Sequence, residues 1–334
     1  MALRYNVVGR TDVGLVRPGN EDTLHIDRES NVLAVCDGMG GHQAGEVASQ
    51  SASQTIRTIF KHLHDELLAD PDLALEQTLP SSGELLVKAI RLANREIHNR
   101  STNDPALSGM GTTVVAVALE DNVMSVAHVG DSRAYRLEER QLVPLTTDHS
   151  WVAEMQSKQL MSSAEGLGSV GKNVITRALG VRENVEVDYR LVFVDPGDTF
   201  VLCSDGLCGF AEDDEIFATA EKAGGDLKRI VDDLIQMAND RGGADNVTVI
   251  AFRVEETSPS SFDELDVFTL DSENPELLAI EDTWLKQMAN YRAETANDEQ
   301  PSPVNDSPNK LLLTVIFAAF VILAAAIIYL TTQS

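Results

Sequence analysis

From Arg4 to about Arg253, apolar residues follow two alternating rhythms. Short runs dominated by Val and other β-formers predict strands at Val32–Cys36, Thr112–Leu119, Val123–Val129, Thr199–Cys203 and Val247–Val254. Between them, Ala44–Leu68, Ser82–Arg100, Ala211–Ala223 and Asp226–Arg241 place apolar residues at helical spacing. The strands fall in adjacent pairs rather than in strict β-α-β alternation, which predicts an α+β fold of antiparallel sheet covered by helices.

Past residue 254 the pattern changes. Residues 255–309 hold 14 acidic residues against two basic ones, Lys286 and Arg292, with five prolines, and read as an acidic, mostly disordered linker. Within it, Pro275–Arg292 has the spacing of a short amphipathic helix through Leu277, Leu278, Ile280, Trp284, Leu285 and Met288. The sequence leaves open whether that helix is transient or docked. Leu311–Leu330 is free of charge, and as a helix its ~20 residues would span about 30 Å, a bilayer core. The predicted organisation is a catalytic body over 1–254, the linker over 255–309 and a single transmembrane anchor over 310–334. The start of the chain lacks the apolar core of a secretory leader, so the body is expected on the cytoplasmic side.

Charge narrows the functions. A formal net charge of −27 without any Lys/Arg block excludes a nucleic-acid binder. Three cysteines, Cys36, Cys203 and Cys208, are too few for a disulfide scaffold and do not have zinc-site spacing.

The candidate chemistry lies at strand ends. Asp37, Asp131 and Asp205 each follow an apolar run, and Asp245 precedes one. Aspartate at a strand end is ordinary turn chemistry. Four together, however, suit a hard divalent cation such as magnesium or manganese, because uncompensated carboxylates would repel in a desolvated pocket. Arg17, in the stretch Thr11–Asp22, offers a planar fork for phosphate oxygens beside Glu21 and Asp22. Glycines after Asp37 let backbone approach a ligand, but no Lys-Ser or Lys-Thr pair makes a phosphate loop of them.

With Val35-Cys-Asp-Gly-Met-Gly-Gly-His, Gly130-Asp-Ser-Arg, Ser204-Asp-Gly-Leu and Ala244-Asp-Asn-Val-Thr in this order, residues 4 to about 253 resemble the bacterial metal-dependent Ser/Thr protein phosphatases of the protein phosphatase 2C family. The resemblance implies a four-layer α-β-β-α sandwich with the cleft at one edge, and a flap over Asp148–Gly180. It implies that Asp37 bridges two manganese or magnesium ions and that the Gly38 carbonyl, Asp205, Asp245 and Glu21 complete their ligand set. It further implies a weaker third ion at Asp131 shared with Asp205, phosphate binding by Arg17, and a supporting place for Asp22. Met39 departs from some eukaryotic relatives, which carry a histidine proposed as general acid there. His42, His128 and His149 are read as structural rather than catalytic. Cys36 and Cys203 should point away from the ligands, so no cysteine nucleophile is expected.

The function implied is hydrolysis of phosphoserine and phosphothreonine on proteins, opposing a Ser/Thr kinase at the cytoplasmic face of a membrane. A metallophosphatase for a small metabolite and a phosphoprotein-binding pseudo-enzyme are the alternatives.

Overall fold

The computed structural model describes residues 3–41, 44–73, 75, 79–157, 174–260, 267–270 and 275–295. The strands run β1 (Arg4–Asp12), β2 (Asp22–Asp27), β3 (Val32–Met39), β4 (Gly111–Thr112), β5 (Val114–Glu120) and β6 (Val123–Val129). They continue as β7 (Arg133–Leu137), β8 (Leu142–Pro144), β9 (Val187–Phe193), β10 (Thr199–Cys203), β11 (Val247–Glu256) and β12 (Val267–Leu270). The helices are α1 (Ala44–Thr58), α2 (His64–Ala69), α3 (Ser81–Asn103), α4 (Trp151–Ser157), α5 (Asp205–Cys208), α6 (Asp213–Lys222), α7 (Leu227–Asp240) and α8 (Pro275–Thr295).

Two sheets result, ordered β1-β11-β10-β7-β8 and β12-β9-β6-β5-β3-β2, with β4 paired to β3. Every named pairing is antiparallel. Period-two alternation explains the layering. On β10, Phe200 and Leu202 enter the inter-sheet core with Leu33, Val117, Ile250 and Phe252. Their neighbours Val201 and Cys203 face outward, under Ile216 of α6 and Ile230 and Leu234 of α7. Phe200 and Phe252 stack at 5.0 Å across adjacent strands, and truncating either to Ala should cost ~3–5 kcal/mol. On the other outer face α1 packs on β3, and α3 on β5 and β6. The four layers are therefore helix, sheet, sheet, helix.

Local sequence fixes the helix ends. Asp226 caps α7 by accepting from Lys228 N–H at 2.9 Å and Arg229 N–H at 3.2 Å. A capping box between Glu212 and Glu215 starts α6 at Asp213, two residues later than the apolar spacing predicts. The helix predicted over Ala44–Leu68 is broken by a π-turn at Ile59–Leu63. The extra residue in that turn shifts the face, and Ile59, Phe60 and Leu67 are all buried.

The linker reading of 255–309 needs correction at β12, which pairs with β9 and extends the second sheet; the helix expected over Pro275–Arg292 forms as Pro275–Thr295. Residues to Lys286 form one compact unit and those from Gln287 a second. Within the first unit, Asp282 of α8 receives Arg95 Nε at 2.7 Å and Nη2 at 2.8 Å, and Asn99 Nδ2 at 3.1 Å. Arg95 also donates to Glu183 at 2.6 Å. Trp284, 7% exposed, donates from its indole to Asp70 at 2.7 Å. The acidic excess that suggested self-repulsion thus includes a carboxylate matched to a largely buried guanidinium. Among the described residues no helix is long and apolar enough to cross a membrane, and Leu311–Leu330 lies outside them.

Candidate active site

Antiparallel register places Asp22 opposite Asp37 on β2 and β3. Gly38 sits beside Asp37 where no larger residue fits: an added Cβ would lie 2.1 Å from the Gly45 carbonyl oxygen and 2.6 Å from that of Glu21. Gly38 N–H in turn donates to the Glu21 carbonyl at 3.1 Å, so Glu21, Asp37 and Gly38 are held at one end of the pair. Asp22 is buried, and its Oδ2 accepts from Ser204 Oγ and Thr248 Oγ1, both at 2.7 Å. Those two hydroxyls belong to the segments carrying Asp205 and Asp245, and through them Asp22 ties the two sheets together below the ligands.

Asp245 lies just before β11, and Arg17 Nη2 donates to its Oδ2 at 2.7 Å. The next residue, Asn246, organises the loop that carries Arg17 and Glu21. Its Nδ2 donates to the carbonyls of Val13 and Gly19, each at 2.9 Å, while its Oδ1 accepts Glu21 N–H at 2.8 Å. Asn246 has no assigned role in the sequence reading. Its signal was an amide beside a candidate ligand at a loop–strand junction, a position suited to holding backbone.

Asp131 follows β6 and is 8% exposed. Its neighbour Ser132 hydrogen-bonds Thr113 Oγ1 at 2.7 Å, and Thr113 N–H donates to the Asp37 carbonyl at 2.8 Å, so the Asp131 loop and Asp37 share a backbone scaffold. A cavity of about 550 Å³ opens beside Asp131 and Asp205, with Arg133, Asp148 and Asp213 on its wall.

The electrostatics of this end are strained in one direction. Burial pushes the Asp37 carboxyl well above its usual range, with Asp22 and Asp205 adding repulsion. Burial also raises Asp205, helped by Asp245, and raises Glu21 despite Arg17. Asp131 is pushed up to about 7, by burial first and then by Asp205 and Asp148. Buried carboxylate oxygens on Glu21, Asp22, Asp131 and Asp205 have no hydrogen-bond partner. Orphaned, mutually repelling carboxylates fit hard divalent cations, which would supply both the missing partner and the missing charge.

Among the described residues, one trio of metal-type donors away from these carboxylates brings its ligand atoms together. His128, His149 and Asp188 bring ligand atoms within 4.8 Å of one another. It is a poor cation site, because Arg177 Nη1 already lies 2.6 Å from Asp188 Oδ1 and 3.1 Å from His149 Nε2. His128 Nε2 donates to the Thr147 carbonyl at 2.8 Å, and burial followed by the neighbouring His149 lowers its pKa to about 4. Both rings have structural engagements, in keeping with the sequence reading; His42 lies outside the described residues.

Cys36, Cys203 and Cys208 are free and buried, and burial raises the Cys36 thiol. Cys203 packs under α7 in the outer core, away from the carboxylates.

A family model for protein phosphatase 2C matches residues 18–249. The chain belongs to the protein phosphatase 2C family. It is 37% identical over 244 residues to the serine/threonine phosphatase stp of Listeria monocytogenes serotype 4b, covering 72% of this chain and 92% of that one. It is 34% identical over 253 residues to the serine/threonine protein phosphatase PstP of Mycobacterium tuberculosis, covering 75% of this chain and 45% of PstP. The crystal structure of the PstP catalytic domain with two manganese ions superposes with a TM-score of 0.64 at 31% identity, over 76% of this chain and all of that one.

Proposed function

We propose that this chain hydrolyses phosphoserine and phosphothreonine on proteins at a centre holding manganese or magnesium. The observation that carries the reading is the set of buried carboxylates with raised pKa values and unpartnered oxygens at one end of the sandwich. Asp37, Asp205, Asp245, Glu21 and the Gly38 carbonyl would hold the two core ions, and Asp131 with Asp205 a third. When bound, the ions supply a water of lowered pKa and neutralise charge on the phosphoryl oxygens. Arg17, with its side chain 46% exposed, is free to swing its fork from Asp245 to the substrate phosphate. Met39 offers no proton, so the leaving oxygen takes one from water or another group.

Leu311–Leu330 would anchor the enzyme in a membrane with the body on the cytoplasmic side, where phosphoproteins made by a Ser/Thr kinase are its substrates. The support is the uncharged span itself and the acidic body before it.

The full chain should release phosphate from a phosphothreonine peptide with manganese and stop in EDTA. Turnover in chelator would overturn the metal reading, and a strong preference for small phosphorylated metabolites would overturn the protein-substrate reading. Carbonate extraction of the full-length chain from membranes would overturn the anchor.

A further inference from the structure

His149 exchanges two hydrogen bonds with a single residue of the Asp131 loop. Gly130 N–H donates to His149 Nδ1 at 3.0 Å, and His149 N–H donates to the Gly130 carbonyl at 2.9 Å. Gly130 has φ +111, and an added Cβ would meet Thr113 at 2.6 Å, so the loop has no alternative residue with which to turn its N–H toward the ring.

The ring itself is fixed on its other sides. Because Gly130 N–H donates to Nδ1, Nδ1 is the bare acceptor and the ring proton belongs on Nε2, which has Asp188 Oδ2 at 3.3 Å and Arg177 Nη1 at 3.1 Å beside it. One face stacks on His128 at 4.6 Å and 20°. Asp188 is held in turn by Arg177 and pairs in register with His128 across β6 and β9.

The same residue joins the chain entering α4 to the stretch 174–176. The His149 carbonyl accepts Thr176 N–H at 2.8 Å, and Trp151 N–H donates to the Val174 carbonyl at 2.9 Å. Its neighbour Asp148 receives Arg133 through Nε at 2.7 Å and Nη2 at 2.8 Å, gripping the far side of the Asp131 loop.

We infer that His149 is a positioning residue, which fixes the Asp131 carboxylate for the peripheral metal ion through the Gly130 backbone and links that ion's site to the paired backbone of 149–151 and 174–176. The inference rests on the proposed ligand role of Asp131. It differs from a catalytic role, because the contacts of His149 are Gly130, Thr176, Arg177, Asp188 and His128 rather than the core carboxylates. It also differs from simple core filling, since an apolar side chain of similar size would fill the space without accepting the Gly130 N–H.

That difference defines the test. Full-length wild type, His149→Leu, His149→Asn and Asp131→Ala are titrated with manganese by calorimetry, and assayed for kcat and KM on a phosphothreonine peptide. Leucine keeps the volume and loses the acceptor, whereas an asparagine amide oxygen can replace Nδ1. The expected result is a tight metal pair retained in all variants, with the weak ion bound roughly tenfold less well or more in His149→Leu and largely restored in His149→Asn. The fall in activity of His149→Leu should appear in kcat and diminish at high manganese.

If His149→Leu binds the weak ion like wild type while Asp131→Ala loses it, the His149 role is overturned and the Asp131 reading stands. If Asp131→Ala leaves the weak ion in place, the Asp131 reading fails and the His149 role falls with it. Equal loss in His149→Leu and His149→Asn would reduce the residue to packing. Should His149→Leu not fold, His149→Asn compared with His149→Ala in the same titration decides the same point.

Discussion

Arg17 and Asp245, 228 residues apart, meet through a 2.7 Å ion pair between the proposed phosphate-binding fork and a proposed metal ligand. The guanidinium thereby occupies charge that a cation would otherwise satisfy. Arg17→Ala should lower kcat/KM on a phosphothreonine peptide by roughly 10–100-fold, the scale of losing a charge-assisted contact to phosphate. Manganese affinity should be unchanged or tighter, because a competing cation has gone. Calorimetry showing clearly weaker metal binding would contradict this account of the pair.

Asp37→Asn and Asp205→Asn should each reduce turnover by ~100-fold or more, beyond the 10–100-fold typical of outer partners. An amide removes both the ligand charge and the repulsion that raises the neighbouring carboxyls, so the metal-free variants should be at least as stable as wild type. Parallel thermal melts and manganese titrations separate these two effects.

The raised carboxyls set a direction for pH. Asp131 rises from 3.8 to about 7 in the folded chain, so in the metal-free protein it contributes stability that is complete below its unfolded pKa. That contribution is lost as pH rises through about 7. Thermal unfolding in EDTA should therefore show a decline from about pH 4 to about pH 7, and saturating manganese should flatten or reverse it. A metal-free melting temperature that climbs across that window would refute the assignment.

Ending the chain after Val254 should destabilise the body, contrary to a reading of everything beyond as a passive tether. The truncation removes β12 and the buried Trp284 and takes Asp282 from Arg95, whose side chain is 9% exposed. A loss of about 3 kcal/mol is expected, combining the buried aromatic with the broken pair. Asp282→Ala alone should cost ~1 kcal/mol, since Glu183 remains with Arg95 and Asp282 is 38% exposed. Urea denaturation of the three forms checks both values.

Strands such as β10 were legible because every position after Thr199 is apolar and both faces are covered, by Phe252 within the sandwich and by α7 outside it. β7 and β9 were less legible. Arg133-Ala-Tyr-Arg-Leu and Val187-Asp-Tyr-Arg-Leu-Val-Phe carry charges whose partners, Asp148 for Arg133 and His149 with Arg177 for Asp188, arrive only on folding. The candidate ligands were legible for the opposite reason: each sits in a short motif at a strand end, where local sequence holds most of the signal. Asn246 lay inside a quoted motif without a role and His149 was read only as structural, because what they grip is backbone at Val13, Gly19 and Gly130. Backbone partners leave no trace in side-chain identity.

The chain contains two tryptophans, and the fold gives each a different neighbourhood. Trp151 opens α4, half-buried, while Trp284 is enclosed on α8 with its indole N–H on Asp70. Intrinsic fluorescence is therefore already partitioned between two parts of the molecule. Trp284→Phe leaves an optical reporter beside His149 and the cavity, whose emission should respond to manganese. Trp151→Phe leaves one that is buried, whose emission should be blue-shifted and should move red only when α8 leaves α3. Two single substitutions thus turn the native protein into its own pair of spectroscopic probes, without any added label.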